Sequence, residues 1–172
     1  MRDNGIDATT LQILVATPSA VRALVEAATP AAVEAPLDDG WSAKDVVAHL
    51  LDTESIAFTD RITRILVEDR PFIRSIEPST RLDELGFRRQ PLAQLLEDLT
   101  DRRATDIEWL QSLTAEQLAR VGEHDEAGEI TAANVVSVWA FHDLLHIQQI
   151  CRVLQAVPIA GMGNTRRFYF AD

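Results

Sequence analysis

His142 and His146 stand four residues apart in a strongly helical stretch that also carries Val135, Val138, Trp139, Leu145, Ile150 and Val153. Residues at i and i+4 project from one side of a helix, so these two imidazoles can grip a single metal ion. His49, on a helical stretch far upstream, supplies a third nitrogen if the two helices face each other, leaving coordination positions open for water or substrate. Three neutral imidazoles suit zinc or nickel first, with iron, copper or manganese as alternatives. The competing reading is that each histidine hydrogen-bonds a carbonyl or carboxylate in the core, the usual fate of a single buried histidine.

Other polar residues flank this set. Gln149 follows His146 by one turn on the same face and either lines a pocket or is a satisfied core amide. Asp45, Asp52 and Glu54 are the acids nearest His49, available as a base or to orient a ligand. Asp45 has a rival duty in capping its helix, and Glu54 reads equally as a solvated charge. Asp143 is about 100° round the helix from His142 and points away from it. Arg61 and Arg64 can receive an anionic substrate or pair along a helix surface. His124, in Glu123-His124-Asp125-Glu126, belongs to a polar turn. Trp41, Trp109 and Trp139 read as bundle packing, with an aromatic substrate wall as the lesser reading. The lone Cys151 falls in an apolar helical pattern and reads as core.

The elements that must hold these residues are helices. Thr17-Pro18 opens one that reaches about Ala28, and Asp7–Ala16 either extends it or forms a separate turn. Ser42-Ala43-Lys44-Asp45 is a capping-box start for a second helix ending near Val67. The third spans roughly Pro91 to Leu113, and Thr114 caps a short one. Val121 to Ile130 reads as a loop or small hairpin, and Thr131 caps the fourth long helix, which runs to about Ala156 before Pro158. The link from Arg70 to Gln90 is long for a helix connection and covers one end of a bundle. The tail, residues 158–172, carries Arg166, Arg167, Phe168, Tyr169 and Phe170, and is expected to pack on the body or on a partner chain.

The whole 172-residue chain fits one domain with a single core, at about 14–157. Sixteen basic against 27 acidic residues give a net charge of −11, which argues against nucleic acid and anionic membrane surfaces as partners. Met1 to Gly5 shows no basic region followed by an apolar stretch, so a cytoplasmic protein is expected.

Trp41-Ser42-Ala43-Lys44-Asp45-Val46-Val47-Ala48-His49-Leu50, followed downstream by His142-Asp143-Leu144-Leu145-His146-Ile147-Gln148-Gln149-Ile150, resembles the DinB-like superfamily. The resemblance covers about Leu14 to Val157. It implies an all-α, up-down-down-up four-helix bundle with a long crossover between the second and third helices. It also implies a divalent metal on His49, His142 and His146, and a homodimer. The superfamily includes transferases and isomerases that use low-molecular-weight thiols such as mycothiol or bacillithiol. The mycothiol-dependent isomerases carry an extra C-terminal domain for which this sequence has no room. The expected function is therefore a metal-dependent, thiol-activating transferase acting on a small electrophile. The alternatives are a non-catalytic metal- or ligand-binding protein of a stress response, a metal-dependent hydrolase, and a structural domain whose histidines do no chemistry.

Overall fold

The computed structural model describes residues 4–36, 40–76, 82 and 86–170. Helix α1 (Ala8–Glu26) is followed by short α2 (Pro30–Glu34) and by α3 (Ala43–Thr53), which passes through a π-helical segment (Glu54–Thr59) directly into α4 (Asp60–Val67). Strand β1 (Phe72–Ile73) and a 3₁₀ turn (Phe87–Arg89) belong to the long crossover. Then come α5 (Leu92–Ser112), short α6 (Ala115–Leu118), strands β2 (Val121–His124) and β3 (Gly128–Thr131), α7 (Ala132–Gly161) and a final 3₁₀ segment (Gly163–Phe168).

Two helix starts follow the sequence signals. The Ser42 hydroxyl accepts from the Asp45 amide at 3.1 Å while the Asp45 carboxylate accepts from the Ser42 amide at 3.0 Å. Thr131 and Asn134 exchange the equivalent pair at the start of α7. Each box satisfies two amides that a helix N-terminus leaves without partners.

The long helices bury their apolar faces in two clusters. One joins Val21 and Val25 late in α1, Val46, Val47 and Leu50 early in α3, Leu95, Leu96 and Leu99 early in α5, and Ile150 and Val153 late in α7. The other joins Leu14 of α1, Ile62 and Ile65 of α4, Leu110 late in α5, and Val135, Val136 and Trp139 early in α7. Starts of α3 and α5 therefore meet ends of α1 and α7. This is an up-down-down-up four-helix bundle, and the second-to-third link must travel the bundle's length. Helix α1 is long and apolar enough to span a bilayer by length and composition, yet it serves as a core helix, burying Leu11, Leu14, Val21 and Val25.

Between the two clusters lies a buried ionic layer. Arg103 of α5 is 2% exposed, and Glu54 and Asp143 are 0%. The guanidinium donates from Nε to Glu54 Oε1 at 2.8 Å, makes a second, shorter bond to the same oxygen, and donates from Nη1 to Asp143 Oδ2 at 2.6 Å. It also lies 5.0 Å from the Trp139 ring. Burial alone would lower the Arg103 pKa, but the Asp143 and Glu54 carboxylates outweigh it and hold the group charged. Burial, with the Asp143 and Asp106 carboxylates adding to it and Arg103 opposing it, pushes the Glu54 carboxyl up to about 7.

The same arginine explains where α1 begins. The sequence places the helix start at Thr17-Pro18, but α1 runs through Pro18 from Ala8. A mid-helix proline leaves the carbonyl four residues earlier without its amide donor. That carbonyl, Leu14 O, instead accepts from Arg103 Nη1 at 2.7 Å. Helix α7 likewise continues past Pro158 to Gly161 rather than ending near Ala156. Pro158 is exposed there, and one missing bond near a fraying helix end costs little.

The loop-or-hairpin reading of Val121 to Ile130 resolves into a hairpin, and β1 adds to it in parallel to make a three-stranded sheet in the order β1-β2-β3. Gly122 is required at this seam: a Cβ would stand 3.0 Å from Ile65 Cγ1 and 3.1 Å from the Pro71 carbonyl. Of the two expectations for the aromatic tail, packing on the body is not what the fold shows, since Phe168 is 76% and Tyr169 77% exposed.

Replacing Arg103 with Met would strand two buried carboxylates and an unbonded carbonyl, a loss of about 3–5 kcal/mol. Arg22, in an exposed pair with Glu26, should tolerate the same change at a cost under about 1 kcal/mol. Urea denaturation of the two variants measures the difference; equal midpoints would contradict the role assigned to Arg103.

Candidate metal centre

His49, on α3, is 4% exposed, while His142 and His146 of α7 are partly buried at the border of the core. One ligand nitrogen from each lies within 4.8 Å of the others. His142 Nε2 is 3.1 Å from His49 Nε2 and 3.1 Å from His146 Nε2. All three residues singled out in the sequence are thus brought together.

The rings are neutral at pH 7. Burial, reinforced by His146, lowers the His49 pKa to about 4. Burial, with His146 and His49 adding to it, lowers His142 to about 2. His146 is lowered as well, chiefly by burial.

Gln149 fixes a tautomer. Its Oε1 lies 2.8 Å from His146 Nδ1, so Nδ1–H donates and Nε2 turns a lone pair toward His142. His142 Nε2 has two close nitrogen neighbours and a single in-plane site, filled by either a proton or a lone pair. One of its two 3.1 Å contacts therefore cannot be a hydrogen bond. A cation among the three nitrogens removes that conflict, and the donor set fits zinc and its neighbours. The buried Nδ1 atoms of His49 and His142 have no hydrogen-bond partner among the described residues, so hydrogen bonding at Nδ1 does not hold these two rings in place.

The histidines form one wall of a cavity of about 400 Å³. Trp41, Ala57, Phe58, Ile76 and Val138 make it largely apolar, with Thr53, Arg61 and Gln149 as the other polar contributors. Trp41 stands edge-on to His49 with centroids 5.1 Å apart, and Phe58 edge-on to His142 at 5.2 Å. Trp41 is thus a cavity wall rather than bundle packing alone, whereas Trp139 is core, 1% exposed and stacked on Phe58.

Other candidates fall elsewhere. Asp45 is engaged in its capping box and accepts from Arg88 Nε at 2.9 Å. Asp52 is buried and lines a separate groove with Leu51 and Ser55. Glu54 is not a solvated charge but part of the Arg103 layer, and Asp143 points away from the histidines only to enter that layer. Arg64 pairs with Glu68 at 2.9 Å, and the His124 ring accepts from the Glu126 amide in the hairpin turn. Cys151 is partly buried. Val138 and Leu145, which share the apolar stretch with the histidines, are 55% and 48% exposed. Sequence reasoning did not single out Arg103; its only signal was its place among Leu96, Leu99 and Leu110 on the buried stripe of α5.

A family profile for the DinB superfamily matches residues 13–150. The "Putative metal-dependent hydrolase YfiT" of Bacillus subtilis (strain 168) is 28% identical over 150 residues, covering 81% of this chain and 79% of that one. The "Putative metal-dependent hydrolase OB0782" of Oceanobacillus iheyensis is 25% identical over 118 residues, 66% of each chain. The solved structure of Bacillus subtilis YfiT, described as an unusual four-helix bundle, superposes with a TM-score of 0.78 over 87% of this chain and 86% of that one, at 24% identity.

Purified without a histidine tag, the protein should carry or take up close to one divalent ion per chain, measured by elemental analysis, and His142→Ala should take up none. Gln149→Leu, which frees the His146 tautomer, should keep the fold and weaken metal affinity about 10–100-fold in a chelator competition. Unchanged affinity in both variants would rule out this centre.

Proposed function

We propose that this chain, which belongs to the DinB superfamily, is a metal-dependent enzyme whose ion sits on His49, His142 and His146 and activates a small nucleophile against an electrophilic substrate. The convergence of three neutral imidazole nitrogens at the wall of an apolar cavity carries this reading. A divalent ion there supplies Lewis acidity, lowering the pKa of a water or thiol held beside it. The chain's own contributions are positional. Gln149 holds His146 with Nε2 toward the centre, the edges of Trp41 and Phe58 brace His49 and His142, and Ile76 and Val138 help make the walls that exclude water.

With water as nucleophile the activity is hydrolysis, the reading supported by the names of the two relatives. Thiol transfer is the second reading, and a specific observation favours it. Among the described residues lining the cavity there is no carboxylate to serve as general base. A thiol, with a pKa of about 8.5, needs far less help to ionise than water at about 15.7. In this proposal the protein works in the cytoplasm on a small molecule. It pairs as a homodimer through the exposed stripe of Val138, Phe141 and Leu145 and the aromatic tail.

Metal-loaded protein offered a panel of small activated esters and amides should show turnover that chelation and His49→Ala both abolish. Turnover in plain buffer marks a hydrolase, and turnover only on adding a low-molecular-weight thiol marks a transferase. Silence under both conditions overturns the enzymatic reading. Light scattering should give twice the mass of one chain, falling to the monomer in Phe141→Glu.

A further inference from the structure

His49, Thr53, Ala57 and Arg61 recur every four residues along one continuous helix, and all four line the same cavity. The cavity is thus a trough along this helix, with the three histidines at one end and Arg61 about three turns away, on the order of 15 Å. The remaining walls are apolar and aromatic: Trp41 beside His49, and Phe58, Ile76 and Val138.

Arg61, like Arg120, which donates to the Ile65 and Glu68 carbonyls, differs from the arginines that pair with carboxylates. Arg64 pairs with Glu68, Arg70 with Glu129, Arg88 with Asp45 and Arg103 with Glu54 and Asp143. The partner recorded for Arg61 among the described residues is a neutral one: its Nη2 donates to the Arg74 carbonyl at 2.9 Å, beside the end of β1. Arg61 and Ile76 line both this cavity and a neighbouring groove shared with Asp60, Arg64 and Arg74; the bond to Arg74 steadies the guanidinium beside both and leaves other N–H groups for a ligand. Burial is the largest influence on Arg61 and acts against its charge, with only longer-range support from Asp125 and Asp60. Asp125 is itself held by the Ser75 amide and hydroxyl at 2.9 and 2.8 Å. A partly desolvated cation with a neutral partner gains more from an arriving anion than a solvent-exposed one does.

We propose that Arg61 is the specificity-determining residue of the cavity and receives a carboxylate on the substrate, whose apolar body spans the trough to the histidine end. The substrate class is accordingly an amphipathic electrophile, apolar in the middle, with a carboxylate at the end remote from the reacting group. This rests on the functional reading above for the location of the reacting group, while the recognition itself depends only on Arg61 and the walls. The protein's net charge of −11 disfavours anions in general, so a preference for one has to come from a local cation.

The test uses unreactive probes and the full chain, both metal-free and metal-loaded. Binding of 4-phenylbutyrate and of its neutral amide is measured by calorimetry in wild type, Arg61→Gln, Arg61→Lys and His142→Ala. The expected result is at least a tenfold preference for the carboxylate in the metal-free wild type, lost in Arg61→Gln and partly restored in Arg61→Lys. Unchanged melting temperature and metal content in Arg61→Gln show that fold and centre are intact. His142→Ala should keep the preference while losing metal, so a failed metal centre and a failed anion site give different patterns. Equal binding of both probes, binding of neither at millimolar concentration, or a preference that survives in Arg61→Gln overturns the proposal.

Discussion

Arg103 is the group on which the bundle's register depends. A buried guanidinium costs several kcal/mol to desolvate, and only good geometry repays it. Here the partners come from three other long segments: Leu14 O from α1, Glu54 from the π segment, and Asp143 from α7. Sliding any one helix by a turn would move its group about 5.4 Å and leave a buried carboxylate or carbonyl without its partner. The two apolar clusters on either side of this layer favour close packing but tolerate many offsets. The ionic layer selects one of them.

That choice also aims the histidines. Asp143 must point inward to reach Arg103, and His142 is its neighbour, about 100° round the helix. The rotation that buries Asp143, Trp139 and Ile150 therefore carries His142, His146 and Gln149 to the edge of the core, where they face His49 across the cavity. The π segment works to the same end on the other helix. Glu54 opens it, and the Thr59 hydroxyl donates back to the Glu54 carbonyl at 3.0 Å, bridging the wider turn. Within it Ala57 and Phe58 are buried, and beyond it Arg61 lines the cavity.

The histidine set was legible in the sequence because its signals are local and strong: an i, i+4 pair, and a third ring seven residues past Ser42, which opens a capping box. The bundle was legible for the same reason, from caps and apolar spacing. The rotation of α7 was not. That helix is apolar nearly all round, so Val138, Phe141, Leu144 and Leu145 look as buried as Trp139, although each of the four is at least 47% exposed. Helix pattern alone cannot orient such an element. Asp143 orients it, but only through Arg103, forty residues away. Pro18 misled in the same way, since its missing backbone bond is made good by that distant arginine. The π segment left no mark, and the three-stranded sheet depended on pairing β1 with a hairpin fifty residues on.

Stability and chemistry are thereby divided between adjacent residues. In small metal-folded domains the ion itself supplies the folding energy. Here the Arg103 layer and the two apolar clusters already specify the bundle, and two of the three histidines stand at its edge. The histidine end of the cavity is held by elements whose positions are set elsewhere, so its side chains are not needed to hold the bundle together. The cost falls on the imidazoles: burial keeps them neutral, and their crowded nitrogens cannot all be satisfied by one another. Three ring nitrogens that converge but cannot all hydrogen-bond one another have the geometry and donor chemistry that suit a cation.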